Sequence, residues 1–140
     1  MRRWIKKKVD KLTMPKHDGV VILGEVADDI RGIAKNSYPN EFVALLGGEV
    51  KGRNLVIAGL IYQVFHPSRM SAFMHINLPM ISGVVGSVHS HPTPGNSPSK
   101  ADLLLFNKQG HVHLIVCYPF RRKDIAAYDS YGKRIRFAVS

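Results

Sequence analysis

The chain has 140 residues and a formal net charge of +10, from 20 Lys and Arg against 10 Asp and Glu. This length corresponds to one domain, and a hydrophobic fraction of 45% is enough for a packed core, which excludes global disorder. The single cysteine excludes an internal disulfide and a zinc finger built on four cysteines. No apolar run approaches the ~18 residues of a membrane span and no signal-peptide pattern is present. We therefore expect a soluble, cytoplasmic protein.

Basic residues are concentrated at the N-terminus, where residues 1–11 hold six basic side chains and one acid. We interpret residues 1–18 as a basic arm and residues 19–140 as the folded domain. A positive field attracts nucleic acid, an acidic membrane surface or an acidic protein. A solvated arm that only keeps the domain soluble needs no partner, and no aromatic RNA-binding signature accompanies the charge.

Hydrophobic periodicity and turn residues divide the body of the chain into short strands and two helices. In chain order, we predict a strand at 20–23, a helix at 24–37, strands at 41–46, 55–64, 72–76 and 83–90, a helix at 101–108, and strands at 111–118, 125–129 and 135–139. Gly47-Gly48 is expected to close the second strand, which places Glu49 in a turn. Strands outnumber helices, and most connections are too short for helical crossovers. The sequence therefore predicts an α+β fold with a mixed, largely antiparallel sheet.

Two histidines and an aspartate near residue 90 have the spacing of metal ligands. His89 and His91 are two residues apart on an expected strand, so they point to the same face, about 7 Å apart by Cα. Pro92 ends the strand, and Ser99 has the sequence of a helix N-cap that brings Asp102 to the third helical position. Two imidazoles and one carboxylate offer three ligands to Zn²⁺ and leave its fourth position open for water, as catalytic zinc sites do.

Each part of this pattern also has a purely structural explanation. Two histidines on a strand are often ordinary surface or core residues, and Ser-x-x-Asp is a common signal for the start of a helix. The joint occurrence of these parts is what favours a metal site.

A catalytic water needs a base, and the chain contains only three glutamates. Glu25 lies near the start of an expected helix, and Glu49 lies in the expected turn. Glu41 opens an apolar strand, where a charge is expensive unless it has a partner. Glu41 is therefore the best candidate for the base, although a carboxylate at a strand edge can also be a simple surface residue.

The segment His89-Ser90-His91-Pro92, followed by Ser99-Lys100-Ala101-Asp102, resembles the motif of the JAMM (MPN+) zinc metalloproteases, with Glu41 as its upstream glutamate. The resemblance covers roughly residues 24–139, and the chain is most similar to the compact stand-alone archaeal members. It implies a cytidine-deaminase-like (MPN/JAB) α+β fold and makes residues 19–140 the catalytic domain.

The resemblance also implies a role for each position of the motif. His89, His91 and Asp102 would bind Zn²⁺. Glu41 would act as general base towards a water at the open position of the zinc, and the Ser99 hydroxyl would stabilise the oxyanion. Because an N-cap serine turns its hydroxyl towards its own helix, the capping role and the catalytic role of Ser99 compete.

The implied activity is that of a deubiquitinase-like metallo-isopeptidase or peptidase that attacks with a zinc-bound water. The implied substrate is a ubiquitin-like protein with a C-terminal Gly-Gly, such as a small archaeal modifier, joined to a lysine or fused linearly. Three alternatives remain open. The same chemistry would process sulfur-carrier precursors, an inactive MPN scaffold would act through protein contacts alone, and a RadC-like JAB-domain protein would bind nucleic acid through the basic arm.

A second pair of histidines, His111 and His113, lies on another expected strand. No carboxylate follows at a useful spacing, so we expect His113 to be packed in the interior or to support the metal ligands from behind. Cys117, in an apolar run, is expected to be a buried apolar residue rather than a nucleophile.

Overall fold

A computed structural model describes residues 17–66, 69–76, 83–106 and 111–140. Most of the basic arm predicted at residues 1–18 lies outside the described residues. In chain order, the described elements are β1 (Gly19–Ile22), α1 (Gly24–Ser37), β2 (Val43–Lys51), β3 (Asn54–His66), β4 (Arg69–Ile76), β5 (Val84–His91), α2 (Lys100–Phe106), β6 (Val112–Cys117), a 3-10 turn (Arg122–Asp124), β7 (Ile125–Tyr128), β8 (Arg134–Ile135) and β9 (Ala138–Val139).

The described strands form one mixed sheet in the order β8-β7-β6-β5-β2-β3-β1-β9, with β4 paired to β3. Strand β1 runs parallel to β3 and β9, β5 runs parallel to β6, and the other five pairings are antiparallel. The parallel pair β5 and β6 is joined through α2, since parallel neighbours need a crossover connection. The predicted α+β class with a mixed, largely antiparallel sheet is confirmed.

The two faces of the sheet carry different hydrophobic clusters. Along β6, Leu114 and Val116 belong to the main core, which also buries one side of α1, whereas Ile115 belongs to a smaller cluster around Phe106 of α2. Because neighbouring residues of a strand point to opposite faces, the two helices cover opposite faces of the sheet. His89 pairs in register with Ile115, so His89 lies on the face covered by α2.

The pair Gly47-Gly48 does not close a strand, as the sequence predicted, but lies inside β2. The pairing register shifts at Leu46/Gly47 against β5 and at Gly47/Gly48 against β3. A side chain at Gly48 would collide with the carbonyl oxygen of Val56. The glycines therefore absorb a β-bulge in a long strand, and Glu49 lies in β2 rather than in a turn.

The strand predicted at 135–139 is two short strands that pair at opposite ends of the sheet. β8 pairs with β7 and β9 pairs with β1, although only Arg136 and Phe137 separate them. Three residue steps span at most ~11 Å, so the two ends of the sheet approach each other and the sheet curls.

The two helices begin where the sequence predicted, to within one residue, since α1 spans Gly24–Ser37 and α2 begins at Lys100. The described part of α2 ends at Phe106, and the rest of the predicted helix lies outside the described residues. No helix in the described ranges has the length and hydropathy needed to span a bilayer.

Candidate metal centre

The candidate site lies at the end of β5, in the middle of the sheet. His89 pairs with Val43 of β2 on one side and with Ile115 of β6 on the other, so the position of its backbone is fixed from both sides. His91 follows two residues later on the same face, and the centroids of the two imidazole rings are 5.4 Å apart. The strand geometry expected from the sequence therefore brings both rings together.

The start of α2 brings a carboxylate to the two rings. The Asp102 N–H donates a hydrogen bond to Ser99 Oγ at 3.1 Å, and the Ser99 N–H donates to Asp102 Oδ2 at 2.8 Å. This reciprocal capping box makes Ser99 the N-cap and Asp102 the third residue of the helix, as the sequence predicts. The box also fixes the direction of the Asp102 side chain, because one of its oxygens is bound at the helix start.

Three side chains converge at this point. Asp102 Oδ1 lies 2.7 Å from His89 Nε2, and Asp102 Oδ2 lies 3.1 Å from His91 Nε2. One donor atom from each of the three residues lies within 4.8 Å of the others, and no second group of this kind is found among the described residues. The three side chains are mostly shielded from solvent, with exposed fractions of 4%, 13% and 15% for His89, Asp102 and His91.

The buried imidazole of His89 has no hydrogen-bond partner in the described part of the chain at either ring nitrogen. Its Nε2 lies close to Asp102 Oδ1, but without the angles of a hydrogen bond. A buried polar group without a partner costs about 1–3 kcal/mol, and a metal ion at the three-residue cluster removes this cost for Nε2. The donor set, two imidazoles and one carboxylate, is of the type that binds Zn²⁺.

The electrostatics of His89 also suit a metal ligand. Burial lowers the pKa of His89 below its ordinary value, and this effect exceeds the opposing influence of the Asp102 and Glu41 charges. A lowered pKa keeps the imidazole neutral at neutral pH, with a lone pair available for a metal ion.

The surroundings of Asp102 favour its negatively charged form, which suits a metal cation. Burial acts to raise the pKa of Asp102, but the hydrogen bond from the Ser99 N–H and the proximity of His89 outweigh burial and lower this pKa. Asp102 is therefore a carboxylate at neutral pH.

Each ring nitrogen of His91 lies within hydrogen-bond distance of an acceptor oxygen atom. Nδ1 lies 3.0 Å from the Gly95 carbonyl oxygen, and Nε2 lies 3.1 Å from Asp102 Oδ2. A neutral imidazole has only one N–H. With the Nδ1 proton donated to Gly95, a cation between Nε2 and the carboxylate satisfies both contacts.

Glu41 lies beside this cluster but is not part of it. Its side chain is exposed, and β2 begins at Val43, so the strand starts two residues later than the sequence predicted. Glu41 precedes by two residues Val43, which is the strand partner of His89. The negative charge of Glu41 acts to raise the pKa of His89.

Two serines of β5, Ser90 and Ser87, make buried hydrogen bonds next to the site. The Ser90 Oγ accepts a hydrogen bond at 3.0 Å from the N–H of Phe42, the residue that follows Glu41. The Ser87 hydroxyl lies 2.8 Å from His113 Nδ1. The motif spacing gives no signal for either contact, because Phe42 lies just before β2 and His113 lies on β6.

His113 and Cys117 are buried, as predicted. The His113 ring stacks on Phe106 with centroids 4.4 Å apart, and the Phe106 centroid is 6.1 Å from that of His89. His113 is therefore a packed histidine behind the cluster.

Fold and site together form a candidate metal centre: a curled mixed sheet presents His89, His91 and Asp102 at the end of a central strand. The family model of prokaryotic homologs of the JAB domain matches residues 24–131 of the chain. A probable metalloprotease of Haloferax volcanii is 32% identical over 127 residues, which cover 81% of this chain and 75% of that protein.

Solved structures agree with the sequence comparison. A structure described as JAMM, a metalloprotease-like zinc site in the proteasome and signalosome, is 32% identical with a TM-score of 0.65, covering 88% of this chain and 99% of that one. A JAB1/MPN domain protein from Archaeoglobus fulgidus is 34% identical with a TM-score of 0.64, covering 84% and 96%. The chain belongs to the JAMM/MPN family of metalloproteases, as its motif indicated.

Proposed function

We propose that the chain is a zinc peptidase or isopeptidase that acts on ubiquitin-like proteins with a C-terminal Gly-Gly. The observation that carries the zinc site is the buried His89, whose ring nitrogens make no hydrogen bond in the described part of the chain while Asp102 and His91 converge on it. The likeness to a JAMM zinc site supports the choice of metal. The substrate class rests on the motif shared with that family.

In this proposal His89, His91 and Asp102 hold the ion through their Nε2 atoms and a carboxylate oxygen. Bound there, Zn²⁺ supplies Lewis-acid activation of a water molecule and of the scissile carbonyl. Glu41 takes a proton from the attacking water and delivers it to the leaving amine. The exposed position of Glu41 fits this role, because the reacting groups must enter from solvent.

Ser99 donates a hydrogen bond to the oxyanion that forms on the substrate carbonyl. Its Oγ accepts the Asp102 N–H with a lone pair, which leaves the hydroxyl proton for a second interaction. Capping and catalysis therefore use different parts of the same hydroxyl group. A donor of this kind contributes about 3 kcal/mol to the transition state in other enzymes.

The excess of positive charge favours an acidic substrate. The net charge of +10 raises the rate at which a negatively charged protein meets the enzyme. Raising salt from low to physiological concentration should then slow association, because ions screen this attraction. An association rate that does not change with salt would remove electrostatic steering from the proposal.

The test combines zinc content with cleavage of a linear fusion that carries a ubiquitin-like protein with a C-terminal Gly-Gly. The variants are Glu41→Gln and, as a matched control, Glu25→Gln on the exposed side of α1. We expect about one zinc per chain in all three proteins and a loss of roughly 10²–10⁴ in kcat for Glu41→Gln alone. Full activity of Glu41→Gln would remove Glu41 from its role, and a wild type that binds no zinc would overturn the metal site.

Further substrates and a nucleic-acid binding assay separate the alternative functions. Cleavage of a sulfur-carrier precursor without cleavage of lysine conjugates would indicate that the enzyme processes precursors and does not act on isopeptide bonds. A salt-dependent shift on DNA or RNA by a protein without peptidase activity would favour the nucleic-acid-binding alternative.

A further inference from the structure

The loop between β5 and α2 holds one of the proposed zinc ligands. The carbonyl oxygen of Gly95 lies 3.0 Å from His91 Nδ1. Gly95 has a φ angle of +147°, a region open to glycine but strained for other residues. Glycine therefore lets the loop bring this carbonyl oxygen to the ring without backbone strain.

The loop also receives contacts from β7 and from the 3-10 turn before it. The hydroxyl of Tyr128 donates a hydrogen bond to the carbonyl oxygen of Asn96 at 2.6 Å, across 32 positions of sequence. The Asn96 side chain in turn donates from Nδ2 to the Asp124 carbonyl oxygen at 3.2 Å. The residue that follows Gly95 is thus bound at its backbone and at its side chain.

Tyr128 is a rigid anchor. Only 4% of its surface is exposed, and its ring stacks on Phe106 with centroids 6.1 Å apart. Its backbone pairs in register with His113 of β6. Because β6 also pairs with β5, the hydroxyl of Tyr128 has a fixed position relative to His91.

We propose that Tyr128 is a positioning residue for the metal centre. Through Asn96 it holds the Gly95 carbonyl against His91 Nδ1, so that His91 carries its proton there and presents the Nε2 lone pair to the ion. A second hydrogen bond of this kind fixes the tautomer and orientation of histidine ligands, and its loss weakens metal binding. The inference rests on the proposed zinc site for its choice of metal.

The test compares Tyr128→Phe with Tyr131→Phe, whose side chain is 90% exposed. The first measurement is the exchange rate with water of the His91 Nδ1–H proton, from ¹H–¹⁵N imidazole spectra of the zinc-loaded protein assigned through bonds to the His91 backbone. The second is the zinc dissociation constant from competition with a chromophoric chelator. We expect a slowly exchanging Nδ1–H in the wild type, about tenfold faster exchange in Tyr128→Phe, and a zinc dissociation constant raised about tenfold in that variant. Tyr131→Phe should match the wild type in both.

Asn96→Ala provides an independent variant, because it removes only the bond to the Asp124 carbonyl and leaves Tyr128 in place. It should shift both measurements in the same direction, and it decides the question if Tyr128→Phe does not fold. Folded variants with the wild-type exchange rate and a zinc dissociation constant within twofold of the wild type would overturn the proposal. A wild type that binds no zinc would overturn the proposed function and this inference together, whereas zinc binding that the variants leave unchanged would overturn this inference alone.

Discussion

Ser90 and Phe42 are joined by two hydrogen bonds. The Ser90 N–H donates to the Phe42 carbonyl oxygen at 3.1 Å, and the Phe42 N–H donates to Ser90 Oγ at 3.0 Å. Ser90 stands between His89 and His91, and Phe42 directly follows Glu41. One residue of β5 therefore fixes the backbone next to the proposed base relative to the proposed metal ligands.

Replacing Ser90 with alanine should separate catalysis from metal binding. Ser90→Ala removes the buried hydrogen bond that Ser90 Oγ accepts from the Phe42 N–H, so we expect the free energy of unfolding to fall by about 1–2 kcal/mol. The kcat should fall by roughly tenfold as Glu41 loses its fixed position, while zinc content stays at about one per chain. Denaturant unfolding, turnover and metal analysis check this, with Ser37→Ala at the end of α1 as control. A wild-type kcat in Ser90→Ala would show that this contact does not position Glu41.

Zinc should stabilise the folded chain, because its proposed ligands come together only in the folded state. At a free zinc concentration about 1,000 times the dissociation constant, the free energy of unfolding should rise by ~4 kcal/mol. A chelator should reverse the gain, and Asp102→Asn should abolish it. Thermal unfolding with and without zinc measures the effect. Asp18→Asn is the control, because that carboxylate pairs with Arg53 on the surface, and it should keep the full gain.

Gly86 should tolerate no side chain. It pairs with Val112 where β5 meets β6, and a Cβ atom there would collide with the Val112 carbonyl oxygen. Gly86→Ala should therefore lower the free energy of unfolding by more than about 4 kcal/mol or prevent folding. Gly32→Ala in α1 is the matched control, since among the described residues no atom beyond the adjacent backbone of its own helix lies within 4 Å of its added Cβ.

That control should stabilise the protein by about 0.5–1 kcal/mol, because alanine is the better helix former and restricts the unfolded chain. Urea unfolding of both variants measures the contrast. Equal stability of the two alanine variants would contradict the close approach of β5 and β6.

Acid should weaken the fold in part through Asp124. Its carboxylate accepts hydrogen bonds from the Arg121 backbone N–H, Nε and Nη2 at 2.8, 2.8 and 3.0 Å. The side-chain bonds from Arg121 lower the pKa of Asp124 below its ordinary value. A lowered folded-state pKa gives stability that is complete above the unfolded pKa of ~3.9 and is lost as pH falls through the folded pKa.

The free energy of unfolding should therefore decrease between about pH 5 and pH 2, and Asp124→Asn should flatten this decrease. Urea unfolding across that range is the measurement. Asp28→Asn is the comparison, because Asp28 pairs with Arg122 where both side chains are about half exposed. Added salt should reduce the contribution of Asp28 to the free energy of unfolding more than it reduces the contribution of Asp124. Identical acid profiles for wild type and Asp124→Asn would contradict the prediction.

The sequence by itself determined those features that depend on residues close together in the chain. The bounds of α1 follow from helical periodicity and from the Tyr38-Pro39 stop, and the structure reproduces them at Gly24–Ser37. The convergence of His89, His91 and Asp102 follows from strand alternation and from a capping box, both of which operate over a few residues. The same spacing identified the family.

Only the tertiary structure decided which distant residues support that site. Ser90 meets Phe42 across 48 positions and Tyr128 meets Asn96 across 32, and both pairs depend on the order and register of the strands. The bulge at Gly47-Gly48 had the same origin, because the glycines that resemble a turn in sequence are needed for the close approach of neighbouring strands. Local spacing sets which side chains a short segment presents, whereas strand pairing sets what those side chains meet, because register is fixed by packing over the whole sheet.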